Sequence, residues 1–281
     1  MGTDPLQTTS RMPSTTRPRP RLAAKSASVQ DPSRRRSSVS LSDLAYARIE
    51  ELLVCCELRP GLFLATHDLQ GMVGFGRTPV LQAVNRLAAD TLVHVTPRHG
   101  LQIVPVDLTR DRVLLRLRRD MERFVIRLAT ERSGSSQRNQ MLHLKRQLAE
   151  HRHAMTLEQF NVVDRRIDQL FLAAAGEPFV ESTLRPLHTI FRRIGWIYHT
   201  HAERGANLQD TVDAHIAVLD AVATGNVDDA ISASDRLVDF VEGMFEVLER
   251  EVEPALLDCR LGELDETFLR SDSSFDHREG T

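Results

Sequence analysis

The triplet Arg77-Thr78-Pro79 combines residue types that suit the beginning of a helix facing a polyanion. Thr78 is a favourable N-cap, and Pro79 lacks an N–H that would have no intrahelical partner there, so a helix is predicted from Pro79 to about Asp90. A helix N-terminus carries partial positive charge and free N–H groups, both of which attract phosphate. An arginine at this point can donate two hydrogen bonds to guanine O6 and N7. The triplet is therefore a candidate contact with DNA.

Two further helices and a β-hairpin must hold this helix in place. The first helix is predicted over 41–58, with Ser42 as its candidate cap, and a short helix over 68–73 closes at Gly74. Two β-rich runs, 92–96 and 101–105, are joined by a turn that ends in Gly100, which predicts a hairpin. Three helices followed by a hairpin form the plan of a winged helix-turn-helix.

From residue 107 to 253 the pattern changes to long segments with helical periodicity. Helices are predicted near 107–132, 137–155, 158–175, 178–202, 208–224 and 227–250. Their apolar stripes are interpreted as core rather than as a ligand box. The predicted fold is therefore mainly α: an N-terminal winged helix-turn-helix domain, 41–106, followed by an all-α helical bundle, 107–253.

The composition is that of a globular chain with room for two domains. The 281 residues are 27% charged and 41% hydrophobic. No apolar run approaches the roughly 20 residues of a membrane span, and the first 40 residues lack the apolar centre of a signal peptide. A cytoplasmic protein without membrane contact is therefore expected. The three cysteines have neither a paired framework nor CxxC spacing, which argues against a disulfide scaffold or structural zinc.

Charge is spread unevenly along the chain. Residues 1–40 hold eight basic residues against Asp4 and Asp31, so the rest of the chain carries −9 within a net charge of −3. This first segment is rich in Ser, Thr and Pro and is predicted to be a disordered basic arm that attracts phosphates irrespective of sequence. Residues 254–281 are predicted to be a loose acidic tail.

Residues 69–104 read LQGMVGFGRTPVLQAVNRLAADTLVHVTPRHGLQIV and resemble the winged-helix domain of GntR-type repressors. The likeness keeps Gly74, Arg77-Thr78-Pro79-Val80, Pro97 and Gly100 in register. The helical half resembles the FCD-type effector-binding domain of the FadR-like subgroup in LRRDMERF (117–124), DQLFLAAAG (168–176) and HIAVLDAVATGNVDDA (215–230). Together the two resemblances cover about residues 41–252.

The resemblance implies a homodimer that binds a double-stranded DNA operator. Each subunit would contact the operator through the third helix of the winged helix-turn-helix and through the wing. On the matching positions, the implied DNA contacts are Arg77, Thr78, Pro79, Gln82, His67, Arg86, Arg98, His99 and Gly100. The family usually has Arg-Glu where this chain has Leu81-Gln82, so a second base-contacting arginine is missing. Residues 41–106 hold five Arg against six Asp or Glu, so affinity is expected to need dimerisation.

Many members of the subgroup hold a divalent metal in the bundle through one Asp and three His. The implied register in this chain is Asp168, Leu172, His215 and Leu237, in which two of four ligands are apolar. No cofactor is therefore expected, unless another donor such as Asp164 or His188 completes the site. Asp168 and His215 are instead expected to hydrogen-bond each other or a small effector. The resemblance adds Arg118 as a partner for an anionic effector group, and Arg193 is a further candidate for that role.

The leading hypothesis from the sequence is a transcriptional repressor whose operator binding is controlled by a small metabolite, an organic acid, in the helical domain. The alternative is a constitutive DNA-binding protein with an inactive effector domain. A helical hydrolase using Asp168 and His215 lacks a nucleophile motif, a Gly-rich phosphate loop and a complete metal set, so the protein is not predicted to be an enzyme.

Overall fold

The computed structural model describes residues 40–202 and 207–261, so the predicted basic arm, apart from Ser40, and most of the predicted acidic tail lie outside the described residues. Within these ranges the predicted fold class is confirmed: a winged helix-turn-helix precedes a helical bundle. The helices are α1 (Leu41–Val54), α2 (Thr66–Val73), α3 (Arg77–Ala89), α4 (Leu108–Arg132), α5 (Ser135–His151), α6 (Leu157–Ala175), α7 (Pro178–His201), α8 (Leu208–Thr224), α9 (Val227–Glu251) and α10 (Pro254–Leu257). The strands are β1 (Phe63–Leu64), β2 (Val93–Thr96) and β3 (Gly100–Ile103). None of the helices in the described ranges is long and apolar enough to cross a membrane.

The ends of the first and third helices differ from the prediction. Ser40, and not Ser42, caps α1, because its hydroxyl accepts a hydrogen bond from the Asp43 N–H at 3.1 Å. The helix stops at Val54 instead of residue 58, since Cys56 turns the chain away at a φ of 57°. Thr78 is not the cap of α3: the helix begins at Arg77, two residues before the predicted start at Pro79, with Gly76 as N-cap and no side chain bonded to the first turn. The N–H groups of that turn therefore stay free for a ligand.

The wing is a three-stranded antiparallel sheet in the order β1-β3-β2. The predicted hairpin pairs Thr96 with Gly100, while β1 was not predicted because it has only two residues. Gly100 has a φ of 106°, and a Cβ there would lie 2.5 Å from the Leu64 carbonyl oxygen of the neighbouring strand. Only glycine fits this crossing, so the tight wing depends on it.

The helical bundle consists of α4 to α9, and capping residues determine where several of these helices begin and end. Thr156 forms a capping box with Gln159 at the start of α6, and Asn226 caps α9. Gly176 and Gly225 end α6 and α8 in the left-handed conformation. Buried side chains such as Phe245, Leu115 and Ile126 form a core that is continuous with that of the winged helix.

Residues 254–261 are not the start of a loose tail. The Val106 N–H donates to the Leu257 carbonyl at 2.8 Å, and the Cys259 N–H donates to the Pro60 carbonyl at 2.9 Å. These backbone bonds fasten the end of the described chain to the winged helix. The acidic composition of this segment does not predict the contact, because the contact is made by main-chain groups and not by the acidic side chains.

Candidate functional site

The first candidate surface is formed by the start of α3 and the tip of the wing. Arg77, Thr78 and Gln82 are exposed along one side of α3, and Pro79 lies between them half-buried. Arg98 and His99 are exposed at the hairpin turn beside Gly100, and His67 is exposed at the start of α2, where its Nε2 lies 3.0 Å from Asp68 Oδ1. The fold therefore leaves these predicted contacts accessible to a duplex, and their contact with DNA remains a prediction.

Arg86 does not belong to this exposed set. Its Nη1 lies 2.6 Å from Asp43 Oδ1 on α1, and its guanidinium lies 4.5 Å from the centre of the Tyr46 ring. Both contacts fix α3 against α1. Arg86 lies about two and a half turns after Arg77, and its contact with DNA remains a prediction.

The second candidate site is a pair of small cavities inside the bundle, of about 50 and 20 Å³. Arg118 on α4, Asp168 on α6, His215 on α8 and Leu237 on α9 border both. Three of the four predicted effector-binding residues, Arg118, Asp168 and His215, therefore border the same cavities as Leu237. Leu172 does not: it is buried one turn farther along α6 and faces a groove against α1.

The position next to His215 is held by Asp164 instead of Asp168. His215 Nε2 lies 3.0 Å from Asp164 Oδ1, and its Nδ1 lies 2.7 Å from the Thr211 carbonyl. The expected hydrogen bond between Asp168 and His215 is therefore wrong, and the implied register was displaced by one helical turn. Asp164 and Asp168 are the i, i+4 pair that faces the cavity, so Asp168 occupies the place that the resemblance assigned to the first imidazole.

Asp168 lies in a chain of buried polar contacts. His188 on α7 places Nδ1 3.4 Å from Asp168 Oδ2 and Nε2 2.7 Å from Glu122 Oε1 on α4. Arg118 donates to the same Glu122 oxygen at 3.2 Å and lies over the Phe191 ring. The cavity wall therefore alternates carboxylates with cationic or imidazole groups.

Arg192 on α7 connects this wall to the winged helix. Its Nη1 donates to Asp168 Oδ2 at 3.2 Å, and its Nη2 donates to Glu50 Oε1 at 2.8 Å. Glu50 belongs to α1 and is 3% exposed; it also accepts the Thr189 hydroxyl at 2.5 Å and pairs with Arg165 at 2.7 Å. One guanidinium thus joins a cavity residue to the first helix of the DNA-binding domain.

Arg193, predicted to bind an effector, is placed elsewhere. Its Nη1 donates to the Val104 carbonyl at 2.9 Å, and the side chain lies near Asp111 at the junction between the domains. Adjacent helical residues point about 100° apart, so Arg192 faces the cavity while Arg193 does not. The expectation that Arg193 lies at the cavity is therefore wrong, and the neighbouring Arg192 borders the cavity instead.

Burial and pairing set the protonation of the cavity. Burial raises the pKa of Asp168 to about 6, with Asp164 adding to the increase against His188 and Arg192. Burial acts on Asp164 in the same direction, but His215 outweighs it and lowers that pKa to about 2. Burial alone would lower the pKa of His215, yet the contact with Asp164 raises it. An ion pair between Asp164 and His215 therefore lies beside a carboxyl group that accepts a proton near pH 6.

The donors at this cavity do not fit the metal that the resemblance implies. Asp164 is committed to His215, both ring nitrogens of His188 face carboxylates, and Leu237 supplies no ligand. Arg118 and Arg192 add positive charge. In the part of the chain that the structure describes, no group of three or more His, Cys, Asp or Glu side chains is arranged to hold an ion.

Zinc or nickel is accordingly expected to leave the melting temperature nearly unchanged, whereas an ion at 100 times its dissociation constant would stabilise the fold by about 2.7 kcal/mol. Differential scanning fluorimetry with each ion and with chelator tests this. As a positive control, Asp168→His combined with Leu237→His should create metal-dependent stabilisation. Stoichiometric metal in the purified protein that is lost on Asp164→Ala would contradict the assignment.

Sequence reasoning did not single out Glu50, Glu122 or Arg192. Each is a charged residue on an otherwise apolar helix face, such as Glu50 between the buried Ile49 and Leu52. A charge inside an apolar stripe indicates a buried partner, and that signal was available from the helical periodicity.

Comparison with known proteins agrees with this architecture. The family model "Bacterial regulatory proteins, gntR family" matches residues 41–103, and the FCD domain model matches residues 113–240. A protein of Streptomyces ambofaciens, named as an uncharacterized HTH-type transcriptional regulator in an unstable DNA locus, is 34% identical over 65 residues. That match spans only 23% of this chain and 28% of the relative.

Solved structures resemble most of the chain in fold. McbR/YncC of E. coli aligns with a TM-score of 0.64 and 20% identity, over 74% of this chain and 98% of that one. A putative transcriptional regulator GntR from Rhodococcus sp. RHA1 aligns with a TM-score of 0.54 and 15% identity, over 74% and 98% of the two chains. At these identities the likeness concerns the arrangement of the helices and the wing.

Proposed function

The chain is a DNA-binding transcriptional regulator that belongs to the gntR family of bacterial regulatory proteins and carries an FCD domain, and from this premise we propose that a small organic acid in the bundle cavity controls its binding to an operator. In this proposal the protein is a cytoplasmic homodimeric repressor. Two copies of α3 and the wing bind the half-sites of a double-stranded operator, since one winged helix covers too little DNA for specificity.

The observation that carries the proposal is the position of Arg192. Its guanidinium is shared between Asp168 of the cavity and Glu50 of α1. An anion that binds Arg192 competes with Glu50 for the same donors, so it changes what holds α1 against the bundle. Because Arg86 and Tyr46 fasten α1 to α3, a displacement of α1 is passed to the helix that faces DNA. Such a link provides the differential contact that allosteric control requires.

The charges at the cavity favour a small carboxylate as the effector. Arg118 and Arg192 present guanidinium groups, which bind carboxylates through two parallel hydrogen bonds. His215 is a further cationic partner, because its raised pKa keeps the imidazole protonated to a higher pH. The small volume of the cavities selects against large ligands.

The alternative function is constitutive DNA binding with an inactive effector domain. The observation that favours it is the mutual pairing of the cavity groups, since Arg118 and Arg192 already have carboxylate partners. The two proposals differ in one measurement. Thermal shift with acetate, lactate, malonate, succinate and citrate should stabilise an effector-responsive protein and leave a constitutive one unchanged.

Affinity for the carboxylate that gives the largest thermal shift should increase as the pH falls from about 7.5 to 5.5. The pKa of Asp168 is raised to about 6, so its negative charge, which repels the anion, is lost over this interval. One coupled proton gives up to about a tenfold change in affinity per pH unit. Calorimetric titration checks the slope. In Asp168→Asn the slope should flatten and the affinity at pH 7.5 should increase; an unchanged slope in that variant would contradict the placement of the anion beside Asp168.

A further inference from the structure

A cavity of about 340 Å³, larger than the two effector cavities, lies between the winged helix and the bundle. Val54 and Glu57 border it from α1 and the turn that follows. Glu158, Asn161 and Val162 border it from α6, and Trp196 from α7. A ligand in this space therefore touches both domains at once.

The charge of this interdomain cavity is opposite to that of the effector site. Its two arginines, Arg165 and Arg192, are both paired with Glu50. Glu57 and Glu158 are exposed at its rim, and neither has an ion pair with any residue in the described ranges. Glu50 offsets only one of these two positive charges, but the wall also holds Glu51, Glu57 and Glu158, so four carboxylates face two guanidinium groups. This balance attracts a cation.

The remaining lining suits an organic body attached to that cation. Trp196 is half-buried, Val54 is buried, and Val162 is 67% exposed, so the wall offers an aromatic ring and aliphatic surface. A tryptophan face attracts ammonium groups through its quadrupole. In addition, Asn161 Nδ2 is buried without a hydrogen-bond partner among the described residues. An oxygen on the ligand would satisfy this donor.

We propose that the interdomain cavity binds an organic ammonium compound, with the ammonium group held by Glu57 and Glu158 and the apolar body on Trp196 and Val162. The site differs from the proposed carboxylate site in the charge of its ligand, although Asn161 and Arg192 border both cavities. Glu57, Glu158 and Trp196 do not border the effector cavities, so experiments on them test this proposal separately.

Trp196 is the sole tryptophan of the chain, so its emission reports on this cavity directly. The probe is 2-phenoxyethylammonium chloride, whose ether oxygen can accept from Asn161, titrated into the full-length protein at constant ionic strength, with the alcohol 2-phenoxyethanol and phenoxyacetate as the neutral and anionic controls. We expect a saturable change in emission for the cation and weaker changes for both controls. The absence of saturation at about 10 mM, or an equal response to the alcohol, would overturn the proposal.

Variants separate the cavity from general charge effects. Glu57→Gln with Glu158→Gln should weaken binding of the cation at least about fivefold, because each carboxylate contributes a modest surface attraction. The matched control is Glu131→Gln with Glu246→Gln, two exposed glutamates outside the cavity that should leave binding unchanged. Equal weakening by both pairs would overturn the site. Asp168→Asn should also leave the cation response in place; its loss there would assign the signal to the effector cavity instead.

Discussion

Glu50→Gln is expected to abolish the response of operator binding to the effector while leaving operator binding itself nearly intact. The amide keeps an oxygen that can accept from Thr189 and Arg192. It removes the negative charge of Glu50, which is one of the two carboxylates that the Arg192 guanidinium contacts, the other being Asp168. Coupling between two sites typically amounts to about 1–3 kcal/mol, or about 5- to 150-fold in affinity. In this variant we expect the operator affinities with and without the carboxylate to differ by less than about twofold, as measured by fluorescence anisotropy of a labelled operator.

Glu51→Gln is the matched control on the same helix. Glu51 is exposed and pairs with Arg48 at 2.8 Å on α1, and it does not border the effector cavities. Its variant should retain the full response. Because a buried charge is being removed, Arg192→Lys provides a second test that keeps a cation in place while disrupting the two-sided contact. A full effector response in both Glu50→Gln and Arg192→Lys would contradict the proposed route.

Arg77→Ala is expected to lose about 1–3 kcal/mol of binding free energy on the cognate operator, with little change on random DNA. Arg77 is exposed at the free N-terminal turn of α3, where its guanidinium can approach base edges. A phosphate contact would instead weaken both kinds of site alike. Arg127→Ala, which removes an exposed arginine from α4 in the bundle, is the control and should bind both duplexes like the wild type.

Much of the fold was accessible from sequence because local chemistry determines it. The pattern around Arg77-Thr78-Pro79 and the turn at Gly100 predicted the third helix and the wing, and the structure has both. Single residues at element ends were less predictable. Whether Thr78 or Gly76 caps α3 depends on how the preceding turn packs, and that packing involves residues distant in the sequence.

The cavity shows where sequence reasoning fails in physical terms. Asp164, Asp168 and Leu172 recur at intervals of four on one side of α6, so periodicity alone cannot tell which turn lies at the level of His215. Only the packing of α6 against α8 settles it, and it selects Asp164. The choice between Arg192 and Arg193 likewise depends on the rotation of α7 against α1, which no local pattern specifies.

Selection of bound sequences from random duplex DNA, carried out in parallel with the wild type and Arg77→Ala, tests the central claim most directly. The account predicts that the wild type enriches two half-sites in inverted orientation, as a two-fold dimer requires. It also predicts that Arg77→Ala loses the preference at one base position in each half-site. Failure of the wild type to enrich any motif, or enrichment of the same motif with equal strength by Arg77→Ala, would contradict it.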